Sequence, residues 1–283
     1  MKKNYKTALL WCLPGLLSLA AWLPLAFLTG GSLMDALEVR EKLGPALLGS
    51  GGYASWTLLP RYPTPVPYIE LLLDSPAFFV MFWNSVRITA GALIGQLLCA
   101  VPAAWWFALH RGRLSRWLYT LYLVLMIMPF QVTMVSSYLV LGRLGLLDSH
   151  WSIILPAAFS TFPVFIIYRF FRSIPVSLIE AAQLDGAGPF QLFRHIGLPL
   201  GRGGIICALV LGVLDCWNMI EQPMTFLKEK ARWPLSLFLP AITVEGMGLA
   251  LAASVITLLP VLLVFLWGQS HLEEGITASG VKE

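Results

Sequence analysis

The chain has 283 residues, 58% of them hydrophobic and only 12% charged, with a formal net charge of +4 and a mean hydropathy of +0.76. That balance leaves too little polar surface for a soluble globule, and nowhere do basic and aromatic residues cluster as a nucleic-acid surface requires. Most side chains are expected to face lipid or other membrane helices.

A hydrocarbon core about 30 Å thick needs roughly 20 apolar residues per helical crossing. Without water, each crossing has to satisfy its own backbone polar groups, which runs of this length do as helices. Six runs fit, at 7–28, 84–109, 118–140, 152–171, 204–220 and 249–267. The expected fold is all-α and polytopic: one transmembrane domain over 1–283, with core helices 2–6 in 84–268. Lys2, Lys3 and Lys6 precede the first run. Its length of about 22 residues and the lack of a small-x-small cleavage site argue for a retained helix rather than a secretory leader. Between the first and second runs, residues 29–81 carry Gly30-Gly31, Gly49-Ser-Gly-Gly52 and Pro60, Pro63, Pro65 and Pro67. This punctuation predicts turns and extended chain on the outer side, where Trp56, Tyr62 and Tyr68 suit a membrane-interface or docking surface, an ordered loop packing on the helix ends being the competing reading.

Arg111, Arg113 and Arg116 separate the second and third runs, and Arg169, Arg172, Arg194 and Arg202 bracket the insert between the fourth and fifth. With six crossings these sets and the N-terminal lysines share one side, so the positive-inside rule places both termini and the insert in the cytoplasm. A second outer stretch, 221–248, holds Lys228-Glu-Lys230 and Trp233-Pro234. Cys12, Cys99, Cys207 and Cys216 fall singly within apolar runs and read as buried packing residues.

The insert, residues 173–200, is the most informative segment. Pro175 suits a helix start, and Ser177 with Glu180 three residues on has capping-box spacing. A short helix is expected to about Asp185, ended by Gly186 in a left-handed turn. Pro189 opens a second short helix through His195, and Pro199 is expected to break it before the fifth crossing. Ala181 and Ala182 carry almost no side chain and permit close approach of a partner surface, while Glu180 and Asp185 offer charge.

The spacing Glu180-Ala-Ala, three residues, Gly186, nine residues, Ile196-x-Leu198-Pro199 resembles the coupling-loop signature of membrane subunits of ATP-binding-cassette importers. Asn84-Ser85, Pro129, Leu144-Gly-Leu-Leu-Asp148, Trp217-Asn218 and Gly275-Ile-Thr-Ala278, in that order, are similar to landmarks of the maltose-type carbohydrate importer permeases, a likeness running from about 56 to 283. The resemblance implies a permease of the bacterial cytoplasmic membrane that imports a sugar or oligosaccharide by alternating access. It would pair with a second similar permease, two copies of a cytoplasmic ATPase that bind ATP and Mg2+, and an external solute-binding protein. Glu180, Ala181, Ala182, Asp185, Gly186, Ala187, Ile196, Leu198 and Pro199 would form the ATPase-coupling element, and no cofactor is expected in this chain. The chain departs from the pattern at Asp215, where an uncharged residue is commoner, and in its long first outer loop. Both departures bear on the cargo, and a permease of the same class for peptides, polyamines or phosphate esters is the alternative.

Polar residues in crossings are costly and point to function. Asp215, Asn218 and Glu221, spaced three apart, are expected along one face of the fifth crossing, with Trp217 beside them to cover an apolar sugar face. Asn84, Arg87, Gln96 and Gln131 are candidates to join this path from other helices; an Asp215–Arg87 pair stapling two helices is the competing reading. No Gly-x-x-x-x-Gly-Lys-Ser/Thr occurs, and Gly201-Arg-Gly-Gly204 lacks the Lys and hydroxyl that would cradle phosphates. The four histidines have no nucleophile or metal partner in sequence, so no catalysis is expected of this chain. A stand-alone secondary transporter would show internal repeats, and none is evident.

Overall fold

The computed structural model describes residues 2–47, 52–55, 57–238 and 246–280, with backbone only for 2–13, 47 and 273–280. Expectations for Gly49–Gly51, Trp56 and Glu245 lie outside the described residues, as do those for the side chains of the N-terminal lysines, Cys12 and 275–278. Among the described residues the chain is helical, its one β-type pairing being the isolated bridge Met34–Pro63. Two compact units are present: 1–79 with 238–260, and 80–237 with 261–283.

The first unit contains α1 (Lys2–Gly31), three short helices α2 (Ala36–Lys42), α3 (Gly44–Leu47) and α4 (Val66–Leu73), and the start of α5 (Pro76–Leu109). The stretch expected as turns and extended chain therefore carries three short helices among its described residues. Asp35 caps α2 by accepting from the Leu37 N–H, and Met34, Val39 and Leu43 form a buried cluster with Phe27, Ala54 and Met247. Glu38 and Lys42, both about 5% exposed, form a buried ion pair one turn apart. The Glu38 carboxylate also accepts from the backbone N–H groups of Arg61 at 3.0 Å and Tyr62 at 3.3 Å, while Lys42 Nζ donates to Thr57 Oγ1 at 2.6 Å. A pattern of prolines and glycines does not reveal this pin, because its two ends are 23 residues apart.

The second unit holds the rest of α5, then α6 (Arg113–Ile127), α7 (Phe130–Arg143), α8 (Trp151–Ala158), α9 (Phe162–Arg172), α10 (Val176–Leu184), α11 (Pro189–Leu192), α12 (Leu198–Trp217) and α13 (Glu221–Phe226); the last helix is α14 (Met247–Gly280). Among the described residues five stretches are long and apolar enough to cross a membrane, Pro14–Gly31, Pro76–Leu109, Trp151–Arg172, Pro189–Trp217 and Met247–Leu272, and a sixth if α6 and α7 count together. The expected straight third crossing at 118–140 is corrected: α6 and α7 meet at 101°. Met128 is extended, at φ −68° and ψ 120°, because the ring of Pro129 disfavours helical geometry in the residue before it. The fourth crossing is interrupted at 159–161, where Pro163 in the first turn of α9 has no N–H to continue the ladder. Cys99 is exposed, whereas Cys207 and Cys216 are buried as expected.

Burial alone pushes the Glu38 carboxyl up, but Lys42 and the N–H groups of Arg61 and Tyr62 outweigh it and hold the group below its ordinary value of 4.5. A depressed carboxylate stabilises the fold above the unfolded-state value and loses that contribution as pH falls through the folded-state value. Hydrogen-exchange protection of the Arg61 and Tyr62 amides is therefore predicted to be constant near neutrality and to fall below pH 4.5. Glu38→Gln, which leaves a buried ammonium unpaired, is predicted to abolish that pH dependence and to cost about 3 kcal/mol at neutral pH.

Candidate functional site

The insert folds as α10, a tight turn, α11 and a π-turn at Phe193–Gly197 that runs into α12. Pro175 occupies the N-cap position and Ser177 makes no capping bond, so the expected capping box is absent. The C-terminus of α10 follows the sequence closely. Gly186 has φ +86°, its N–H donates to the Gln183 carbonyl at 3.0 Å, and the Ala187 N–H reaches the Ala182 carbonyl at 2.9 Å. This is the paired bonding of a Schellman stop. The turn then closes on α11, whose start is capped in reverse: Gln191 Oε1 accepts from the Gly188 N–H at 2.8 Å.

Pro199 does not break the chain into two helices, which corrects the expectation. It lacks the N–H that would pair with the His195 carbonyl, and the ladder instead widens so that the Leu198 N–H donates to the Phe193 carbonyl five residues back. A π-turn of this kind absorbs the missing donor without ending the helix. The fifth span accordingly runs over 189–217, starting fifteen residues earlier than expected and ending three residues sooner.

What lies beneath the insert is an aromatic core. Trp105, Phe107 and Ala104 of α5, Ile167 and Phe171 of α9, and Leu192 and Ala208 form the buried cluster, against which Ile179, Ala182, Ala187, Ile196 and Leu198 pack. The motif thus divides into two sets. Ile196, Leu198, Ala182 and Ala187 are half-buried and pack against the chain's own core. Glu180, Ala181, Asp185 and Pro199 are exposed, together with Leu184 at 89% and Phe190 at 69%. Sequence reading missed these last two, although apolar side chains flanking the Gly186 turn were visible.

Three glycines bring α12 onto that core. A Cβ on Gly197 would lie 2.9 Å from the Trp105 ring, one on Gly204 would lie 2.6 Å from the Phe170 ring, and one on Gly201 would overlap the Phe171 ring. Small residues at such spacing let helices approach closely where lipid supplies no hydrophobic drive. This is the role of Gly201-Arg-Gly-Gly204, which has no phosphate-loop chemistry.

The expected polar path is split among separate places. Asn84 is buried, and its amide donates to the carbonyls of Ala231 at 2.7 Å and Trp233 at 3.1 Å. Ser85 Oγ accepts from the Leu235 N–H at 2.7 Å, so this pair anchors residues 231–235. Gln96 is also buried and donates to the Ala157 carbonyl at 3.0 Å, in the last turn of α8. Arg87 is exposed and lies near His150, which burial and the Arg87 and Arg232 charges hold below its usual range although its bond to the Arg232 carbonyl opposes this. Among the described ion pairs none joins Arg87 to Asp215. Asp215, Asn218 and Glu221 do not share one helical face: α12 stops at Trp217, Asn218 folds back to the Leu214 carbonyl at 2.8 Å, and Glu221 opens α13. Trp217 is buried and packs edge-to-face on Phe82 at 5.8 Å. Glu221 and Gln131 do meet, the Gln131 amide donating to both carboxylate oxygens at 2.7 and 2.8 Å.

Leu144-Gly-Leu-Leu-Asp148 also acquires a physical reason. Gly145 and Asp148 are left-handed, at φ 67° and 54°. Asp148 Oδ1 accepts from the Lys228 and Glu229 N–H groups at 2.9 and 3.0 Å, and its Oδ2 pairs with Arg232 at 3.0 Å. Those donors hold the Asp148 carboxyl below its ordinary value.

A family model described as binding-protein-dependent transport system inner membrane component matches residues 100–278, well over half the chain and the whole of the insert. The chain belongs to this family. Protein LplC of Bacillus subtilis (strain 168) is 28% identical over 92% of this chain and 89% of its own length. The polygalacturonan/rhamnogalacturonan transport system permease protein YtcP of the same organism is 32% identical over 70% of this chain and 75% of its own. The crystal structure of a bacterial ABC transporter involved in the import of the acidic polysaccharide alginate superposes with a TM-score of 0.79 over 95% of this chain and 97% of that one; at 21% identity it shows the fold. This inner membrane component is thus an all-α, multi-pass permease subunit that works within a larger transport complex in the bacterial inner membrane.

For this family member the glycine contacts give a direct prediction. Gly201→Val is expected to lower stability by on the order of 2 kcal/mol through overpacking, read as a lower melting temperature of the purified protein, whereas Gly186→Ala, whose Cβ meets open space, is expected to cost only the left-handed backbone term of about 1 kcal/mol.

Proposed function

We propose that this chain is the permease subunit of an ATP-driven, binding-protein-dependent importer whose cargo is a sugar or oligosaccharide. The observation that carries the reading is the division of the insert: one set of motif residues is locked into the core while Glu180, Ala181, Leu184, Asp185 and Phe190 project from it. A protruding helix end with charged and apolar groups, rigidly joined to a membrane span, is how movement of a docked partner would reach the crossings. In this reading both termini and residues 173–200 are cytoplasmic, two ATPase copies bind ATP and Mg2+ and dock there, and a second similar permease completes the path. A solute-binding protein delivers cargo to the outer stretches. The chain itself performs no catalysis.

The carbohydrate assignment rests on the relatives, whose names specify lactose, arabinooligosaccharides and galactooligosaccharides as well as polygalacturonan. The exposed Asp215 and Asn218 and the Glu221–Gln131 pair supply oxygens and amides suited to hydroxyl-rich ligands. Driving the importer from 1:99 to 99:1 outward-facing takes roughly 5.5 kcal/mol of differential binding by the partners, and this must pass through the insert.

The test uses the left-handed turn. Gly186→Val is predicted to abolish cargo uptake and ATPase co-purification while membrane insertion persists, and Gly186→Asn, which tolerates φ > 0, to retain both. Full uptake in Gly186→Val would contradict the coupling role.

A further inference from the structure

Beside the coupling insert, the second unit has a cavity of about 420 Å³ that the transport reading does not use. It lies where the end of α5, the start of α6 and the end of α9 converge. His110, Arg111, Arg116 and Arg172 line it, over a floor that includes Tyr119 and Tyr168. Four groups able to carry positive charge converge there; its described lining has no carboxylate, and Glu180 lies on the wall of the adjoining cavity that shares His110, Arg111 and Arg172. Like charges brought together around a concavity repel one another and concentrate a positive potential, so the arrangement is unfavourable when empty and attractive to an anion.

A second, independent observation concerns α6. Its N-cap is Gly112, no side chain caps its first turn, and that turn contains no acid. Instead it places Arg116 on the cavity wall, the sign opposite to the one a helix N-terminus favours, while Arg113 lies outside the cavity. A helix of 15 residues that leaves its first N–H groups uncapped and puts arginine among them has the donors and the charge of an anion-binding end. The surrounding groups are held for this purpose. His110 Nδ1 is committed to the Trp106 carbonyl at 2.9 Å, which requires the proton on Nδ1 and leaves Nε2 for another partner. The His110 ring also stacks on Trp106 at 4.7 Å, and Tyr119 and Tyr168 pack against each other at 4.2 Å.

We propose that this cavity binds a phosphate group, with Arg111, Arg116 and Arg172 as its charged donors. Guanidinium forks match phosphate oxygens in geometry as well as charge. Two sources share that chemistry: the headgroup of an anionic phospholipid, since basic pockets between membrane helices suit such headgroups, and a soluble phosphate. In either case occupancy would hold α5, α6 and α9 together beneath the insert.

The full-length protein, purified and reconstituted into phosphatidylcholine nanodiscs, would be titrated with phosphatidylglycerol in one arm and inorganic phosphate in the other. Melting temperature and bound mass would be read in each arm. Stabilisation by phosphatidylglycerol alone, with one lipid retained, assigns the phosphate to a headgroup; stabilisation by inorganic phosphate as well assigns it to a soluble anion. In both cases Arg116→Gln and Arg172→Gln are each expected to weaken binding roughly tenfold, the scale of one charge-assisted hydrogen bond. Arg113→Gln, in the same turn but outside the cavity, should leave it unchanged. Arg116 is exposed, so its variant does not depend on how Arg172, which donates to the Ala108 carbonyl at 3.4 Å, supports the fold. Equal loss in Arg113→Gln would reduce the effect to general surface attraction and overturn the site. So would the absence of stabilisation by either probe, or loss of ATPase co-purification in Arg116→Gln with phosphate binding intact, which would make these arginines a protein contact.

Discussion

The close approach of α12 to the rings of Trp105, Phe170 and Phe171 is the contact on which the rest of the second unit depends. Gly197, Gly201 and Gly204 remove the side chains that would hold the helices apart, and the aromatic rings occupy that space. Because that face of α12 is pressed against α5 and α9, the stretch just before it has no freedom to unwind, and Ile196 and Leu198 become part of the same core. Ala182 and Ala187 tie α10 to it from the other side. The exposed end of α10 is therefore packed on the same core as the start of a membrane span.

A second constraint is the cost of unpaired backbone groups away from water. At several places where a described span bends or stops, a side chain or a widened turn meets this need. Gln96 donates to the Ala157 carbonyl in the last turn of α8, Asn218 folds back on the end of α12, and the π-turn accommodates Pro199. Asn84 and Ser85 hold the loop following α13. Several polar residues that mark a transport path by their position in sequence are thus spent on the backbone, and what remains exposed is Arg87, Asp215, Asn218 and the Glu221–Gln131 pair.

The spans and the Schellman stop at Gly186 were legible in the sequence, because both depend on local properties: run length, and a glycine where a left-handed residue is needed. The helical turn at Pro129 was legible in principle too, since the residue before a proline resists helical geometry, but the apolar run across it hid the bend. The coupling motif was legible as spacing, yet its division into core-facing and exposed sets was not, because that depends on which side of α10 meets Trp105 and Phe171. Long-range bonds escaped altogether. Glu38 with Arg61 and Asp148 with Lys228, Glu229 and Arg232 join residues 23 to 84 positions apart, and neither partner is unusual alone.

The stiffness of the insert can be measured in one experiment. With Cys12, Cys99, Cys207 and Cys216 replaced, spin labels at Leu184 and Arg202, both exposed, would report the distance across the Gly186 turn and the π-turn. It would be recorded in the assembled importer without nucleotide and again with ATP trapped. Rigid coupling predicts the same narrow distance distribution in both states. A shifted or broadened distribution on ATP binding would show that the insert bends at Gly186 or at Phe193–Gly197, and would contradict a lever that moves the fifth span as a unit.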